Sequence, residues 1–233
     1  MSESTALKEF KNSLQIADEL IRIERNNYHN PPKQNEQKAV EGLRGGASVI
    51  MVAAFEHFIR QIIEEHLSYL TMQPFKVKFD ELPDKMKIHS VFKTLEYATK
   101  GRPFEERKDK IDRLSDIYEA CRLILSGCVN PEVFSSDIGN PNSKHVKDIM
   151  NNLGIDNIFA KIKDHFDSKW RNPTASTFIS DKLDEIVNRR HTVAHKADAL
   201  NISRADLNIS LKFLKVLGES IDQALHNYIK AIK

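Results

Sequence analysis

Apolar residues recur every three to four positions along most of this chain, which is the period of a helix with one buried face. The first such stripe ends before Pro31 and Pro32, because proline cannot continue a helix. A second, longer stripe covers about residues 36–70. The pattern therefore predicts two amphipathic helices joined by a proline-containing loop.

The middle of the chain continues this pattern after a short connector at about residues 71–83. A third helix is expected to begin at Pro83, since proline suits the first turn of a helix, and to end at Gly101. A fourth covers about residues 104–126. No passage pairs convincingly as strands, so the fold class predicted here is all-α.

The last third of the chain contains clear helix boundaries. A short helix is expected to begin at Asn142 or Ser143 and to end at Gly154. After another short helix, a loop holds Trp170, which either stacks a nucleobase or packs as a partly buried staple. Two longer helices follow, and Ser203 is the expected N-cap of the second. The chain is thus predicted to be a helical bundle.

We divide this bundle into an N-terminal helix and linker, residues 1–35, and a helical domain, residues 36–233, packed together as one compact unit. Gly45 and Gly46 lie in the middle of the long second helix. Each glycine there lowers the stability of the helix by about 1 kcal/mol relative to alanine. A close neighbour or a kink must compensate. That neighbour is either a second copy of the chain or another helix of the same copy.

Composition indicates a soluble globular protein. Of the 233 residues, 40% are hydrophobic and 29% charged, and the formal net charge is only +2, so attraction to a polyanion requires a local patch. We found no apolar run of about eighteen residues and no signal peptide, and we therefore expect a cytoplasmic protein without a membrane partner. Cys121 and Cys128, seven apart in a helical pattern, are expected to face one core.

The segment NRRHTVAHK, residues 188–196, concentrates cations and imidazoles at the end of a predicted helix: Arg189, Arg190, His191, His195 and Lys196. A solvated helix C-terminus explains the cations but not the histidines. Arginine matches a phosphate with two parallel hydrogen bonds, and histidine exchanges a proton near neutral pH. Together these groups supply an acid, a base and a cation for RNA cleavage without a metal or other cofactor.

The spacing within the segment restricts how these groups meet. Arg190 and His195 are five residues apart, about 140° around a regular helix, so one straight helix does not aim both at one atom. Either the helix frays, or Arg190 bends back, or a second chain completes the site across a two-fold axis. His191 and His195 do share a face at the spacing of a zinc site, but the segment offers no third ligand, and we predict no metal.

The segment LDEIVNRRHTVAHKAD resembles the signature of the HEPN superfamily (higher eukaryotes and prokaryotes nucleotide-binding), in which four to six residues separate an arginine from a histidine. The stretches GGASVIMVAAFEHFIRQIIEEHL, DIGNPNSKHVKDIMNNLGI and SRADLNISLKFLKVLGESIDQALHNYI are similar to the RiboL-PSP-HEPN branch. The resemblance covers residues 41–233. It implies a HEPN-like bundle, here with extra N-terminal and middle helices, that forms a homodimer with two motifs lining one cleft.

The resemblance also implies roles for individual residues. Arg190 and His195 would be the catalytic pair and His191 a supporting polar residue. Glu56 of the early helix would orient the arginine, although a surface glutamate is the simpler interpretation. Lys196 stands where glycine is commoner and, with Arg189, is expected to contact phosphate.

These observations favour a metal-independent endoribonuclease, with RNA as substrate and no cofactor. The resemblance implies a toxin or effector of a prokaryotic toxin–antitoxin, abortive-infection or anti-phage system, with an antitoxin or defence protein as a further partner. The alternative is a non-catalytic HEPN module that dimerises and binds nucleic acid or a partner protein.

Overall fold

The computed structural model describes residues 3–71, 77–100, 109–126, 132–135, 139–196, 199 and 201–232. Within these ranges there is no strand, and the helices are α1 (Thr5–Asn27), α2 (Gln37–Thr71), α3 (Asp84–Lys100), α4 (Lys110–Leu125), α5 (Glu132–Ser135), α6 (Ser143–Asn152), α7 (Ile158–Trp170), α8 (Phe178–Lys196) and α9 (Arg204–Ala231). The all-α prediction is confirmed. The connector before α3 contains a 3-10 turn at Phe79–Glu81.

Helix α2 is the centre of the bundle and packs against α1, α8 and α9. By length and composition alone, Gln37–Leu70 could span a membrane, because an 18-residue apolar window within it has a mean hydropathy of 1.3. The expectation that no segment is long and apolar enough is therefore wrong. The physical reason is its central position: 56% of the apolar window is buried inside the bundle. Side chains such as Phe55 and Ile59 are fully enclosed there.

Helix α1 packs closely on both α2 and α9. The ring of Phe10 stacks on that of Phe58, with centroids 4.7 Å apart. Opposite, a Cβ on Gly218 of α9 would lie 2.7 Å from the Phe10 ring, so only glycine permits this approach. Helix α1 is therefore packed against the remainder of the bundle, while the domain division at residue 35 stays a prediction.

A buried ion cluster joins the C-terminal end of α1 to α2 and α9. Glu24 is 1% exposed and accepts hydrogen bonds from Arg44 Nε at 3.1 Å and Nη2 at 2.8 Å. Arg204 also pairs with Glu24 and donates to the carbonyl of Tyr28 at 2.7 Å. The Nη1 of Arg44 donates to the carbonyl of Ile202 at 2.9 Å. Each buried charge therefore has a partner, as burial requires.

Several predicted helix ends are confirmed. Asn142 caps α6 by accepting from the His145 amide, and Gly154 follows that helix at φ +86°. Ser203 caps α9. The prediction of a loop at Trp170 is wrong, because α7 continues through that residue, whose ring packs on Phe166 at 5.8 Å.

The start predicted for the fourth helix lies outside the described residues, and the described helix α4 begins only after Asp109. The Asp109 carboxylate accepts the amide hydrogens of Ile111 and Asp112, both at 2.8 Å, which fixes the start of α4. Cys121 is exposed, so its predicted place in a core is wrong, and Cys128 lies outside the described residues. A stripe of apolar side chains on α4 thus faces solvent in the monomer.

Candidate functional site

Helix α8 carries the segment NRRHTVAHK, residues 188–196, which we call the basic segment, and it remains helical through residue 196. Its buried side chains follow one face and are Ile179, Leu183, Ile186 and Val187. Arg190 and Val193 continue this face by one further turn and are half-buried. Because the helix does not fray between Arg190 and His195, their separation of about 140° persists in one chain.

Arg189 is engaged within the monomer. Its guanidinium pairs with Glu185 one turn earlier in α8 and lies 4.0 Å from Asp206 at the start of α9. It also donates to the Ser210 hydroxyl at 3.3 Å. Hydrogen bonding by Ser203 lowers the pKa of Asp206, and the charge of Arg189 lowers it further, so this carboxylate is ionised at neutral pH. Arg189 therefore ties α8 to α9, while its contact with phosphate stays a prediction.

Arg190 differs from its neighbour in having an unsatisfied donor. Its Nε is buried and has no hydrogen-bonding partner in the described part of the chain. A buried donor without a partner costs about 1–3 kcal/mol, and more when it is charged. Such a group is stabilised when an anion reaches it.

His191 and His195 form an exposed pair beside Arg190. Their ring centroids are 4.2 Å apart and the ring planes are inclined by 56°. The spacing of four residues places both on one face, as predicted. No group of three or more potential metal ligands occurs among the described residues. The pair presents two proton-exchanging groups to the same region of solvent.

The other predicted site residues are Glu56 and Lys196. Glu56 of α2 pairs with Arg60 at 3.2 Å, and no hydrogen bond or ion pair joins it to Arg190 in the described structure. Its proposed role in orienting Arg190 stays a prediction. The side chain of Lys196 lies outside the described part of the structure.

The glycines of α2 support the site from within the same chain. A Cβ on Gly45 would lie 3.0 Å from Val193 Cγ1 and 3.4 Å from the Ala199 Cβ, and one on Gly46 would lie 3.4 Å from Leu20. Of the two alternatives for the close neighbour, the structure thus shows intramolecular packing. Gly45 lets α2 approach the end of α8 at the level of the basic segment.

Trp170 has the role of a packed staple. It contacts Phe166, Phe178 and Phe213, and Lys212 Nζ lies 4.2 Å above its ring. A nucleobase would have to displace that lysine to stack on this face.

Sequence reasoning missed a second group of histidines at the opposite end of α9. A cavity of about 610 Å³ is lined by His66, His165, His226 and Asp222, among others. His66 donates to Asp222 at 3.2 Å, and the Nε2 of His226 is buried without a partner in the described part of the chain. Burial lowers the pKa of His165 and His226. No sequence signal marks the group, since three helices distant in sequence contribute to it.

The chain matches the sequence profile of the family RiboL-PSP-HEPN over residues 11–227. No curated protein and no solved structure matches it. The match includes most of α1 and every helix through α8, together with nearly all of α9. The all-α bundle and the profile agree, and the chain belongs to the RiboL-PSP-HEPN family of the HEPN superfamily.

Proposed function

We propose that this protein is a metal-independent endoribonuclease whose site combines Arg190 and His195 of two chains. The observation that supports this most directly is the unsatisfied, buried Nε of Arg190 beside the exposed imidazoles of His191 and His195. Membership of the family suggests a nuclease or another function related to nucleic acid, and HEPN domains commonly dimerise and act on RNA.

The proposed chemistry uses only groups of this chain. A neutral His195 accepts the proton of a ribose 2′-hydroxyl, and the 2′-oxygen attacks the adjacent phosphorus. The phosphorus–5′-oxygen bond breaks, the leaving 5′-oxygen takes a proton from water, and His195 returns its own extra proton to the solvent. The products are a 2′,3′-cyclic phosphate and a free 5′-hydroxyl. Arg190 stabilises the negative charge that develops on the phosphoryl oxygens.

A two-fold arrangement supports this division of roles. On one continuous helix Arg190 and His195 point about 140° apart, whereas two copies of α8 facing each other would offer the arginine of one chain to the histidine of the other. The repulsion between the cations would be relieved by the phosphate that they bind. His191 would hold the neighbouring ring of His195 in position.

The biological role that we propose is that of a toxin or effector in a toxin–antitoxin, abortive-infection or anti-phage system. Such a protein needs an inhibitor in its own cell, so an antitoxin or another partner would cover the basic segment. Overexpression without the partner should arrest growth, and His195→Ala should relieve the arrest.

The biochemical test is incubation of purified protein with total RNA in excess EDTA. Cleavage should proceed, leave 2′,3′-cyclic phosphate ends and fail on an all-deoxy oligonucleotide, which lacks the nucleophile. His195→Ala should reduce the rate by about 10²–10⁴, the usual contribution of a general acid–base. Arg190→Lys should also fail, because a point charge does not reproduce the planar fork of arginine.

Matched controls are available on other helices. Arg22→Lys changes an exposed arginine of α1, and His145→Ala changes a histidine of α6; both should cleave like the wild type. Cleavage only with added magnesium, or full activity of His195→Ala, would contradict the mechanism. A folded dimer that cuts no RNA would favour the non-catalytic binding module.

A further inference from the structure

Helices α3 and α4 expose more apolar surface than any other part of the described chain. Six large apolar side chains on these two helices are 57–87% exposed: Ile88, Phe92, Ile111, Leu114, Tyr118 and Leu125. The other large apolar residues that are exposed in the described part occur singly or in pairs, on α1, α2 and α9. Exposed apolar side chains concentrated on neighbouring helices usually mark an interaction surface.

Helix α4 is the less protected of the two. None of its described side chains is buried, although it packs beside α3. Arg113 Nη1 donates to the carbonyl of Thr99, which places the start of α4 beside the end of α3. A helix of 16 residues is marginal in water unless it buries an apolar face. A partner that covers the exposed stripe would therefore stabilise α4.

The spacing of that stripe indicates the kind of partner. Ile111, Leu114, Tyr118, Cys121 and Leu125 follow one another at intervals of three, four, three and four residues. This is the pattern of a helix that packs along its length against another helix of the same pattern, with side chains fitting between those of the partner. No charged residue interrupts the stripe.

The net charge of α4 and the area of the exposed apolar side chains favour a second copy of this chain as the partner, over a nucleic acid or a membrane. Three basic and three acidic residues give α4 a net charge of zero, so two copies do not repel, and neither RNA nor an anionic lipid surface is attracted. The six exposed side chains present roughly 600–1,100 Å², if each contributes about 100–180 Å². A stable interface buries about 800 Å² on each partner.

We propose that the α3–α4 face is a self-association surface in which the α4 stripes of two copies pack against each other. It lies on helices that do not carry the basic segment, and the proposal does not rest on the nuclease activity. If the basic segments also pair, the chain has two separate self-complementary surfaces and forms assemblies larger than a dimer.

The first test is the mass in solution, measured by sedimentation at about 1–50 µM, the range in which moderate affinities are resolved. Leu114→Glu combined with Tyr118→Glu should lower the mass to that of a monomer, or to that of a dimer if the basic segments also pair. The matched control, Ile16→Glu combined with Ile23→Glu, places the same charges at exposed apolar positions of α1 and should keep the wild-type mass. Equal masses for the wild type and the α4 double variant would overturn the proposal.

A second test needs no disruptive substitution. In a Cys128→Ser protein, maleimide reacts with Cys121, which is exposed in the monomer and lies within the stripe. The rate should fall several-fold when the protein concentration rises from about 1 µM to about 50 µM, because pairing covers the thiol. A rate that does not depend on concentration, or a wild type that stays monomeric at the upper concentration, would rule out self-association through this face.

Discussion

At the scale of single residues, the two adjacent arginines of the basic segment have different environments. Both spacings to His195 satisfy the superfamily signature, and the resemblance favours Arg190 as the catalytic arginine. The structure separates them: Arg189 is held by Glu185 and Ser210, whereas the Nε of Arg190 is buried without a partner in the described part of the chain. This contrast supports Arg190 as the residue that meets the substrate.

The histidines of the cavity make stability depend on pH. Burial lowers the pKa of His165 and His226 below the ordinary value, aided by Lys169 and Lys230 respectively. The unfolded chain therefore binds more protons than the folded one below about pH 6.5, and stability is lost as the pH falls through this range. Burial alone would raise the pKa of Asp222, but hydrogen bonds from His66 and Ser4 lower it, so its contribution is lost only at more acidic pH.

The urea midpoint of unfolding should consequently be lower at pH 5.0 than at pH 7.5, by on the order of a few tenths of a molar. His165→Asn and His226→Gln together remove the two titrating rings and should flatten this dependence. His57→Gln, which changes an exposed histidine of α2, should leave it intact. A midpoint that is the same at both pH values in the wild type would show that these rings do not titrate differently on folding.

At the scale of helices, most elements were predictable because their signals are local. The caps at Asn142 and Ser203 and the stop at Gly154 depend on side chains within a few residues of the helix end. The end of α7 was not predictable, since Trp170 stays helical by packing against rings from α8 and α9. The residue that packs against Gly45 was not predictable either. A glycine inside a helix indicates a close neighbour but not the chain to which that neighbour belongs.

Replacing Gly45 should test how α2 positions the end of α8. In Gly45→Val, the Cβ alone would lie 3.0 Å from Val193, and the two added methyl groups would force the helices apart. Overpacking of this kind costs about 1–3 kcal/mol, and RNA cleavage should fall with the displaced segment. Gly42→Val is the control, because a Cβ there meets nothing within 4 Å. Equal unfolding midpoints and cleavage rates for the two variants would exclude this role for Gly45.

At the scale of the whole molecule, the net charge of +2 gives no general attraction to RNA, so the RNA recognition that we propose requires a local patch of charge. The basic segment is the proposed patch, and it was visible in the sequence because its residues are adjacent. The histidine cavity and the exposed face of α3 and α4 were not visible. Both depend on which faces of distant helices meet, and helical periodicity alone does not determine this.

Mixing two inactive variants tests whether one site takes Arg190 from one chain and His195 from the other. Arg190→Ala and His195→Ala are refolded together at equal concentrations, with each variant alone as control and the masses checked. Half of the dimers are then mixed, and each mixed dimer contains one site with both residues intact, so the account predicts about a quarter of the wild-type rate. A mixture as inactive as the separate variants, despite normal dimers, would contradict the shared site.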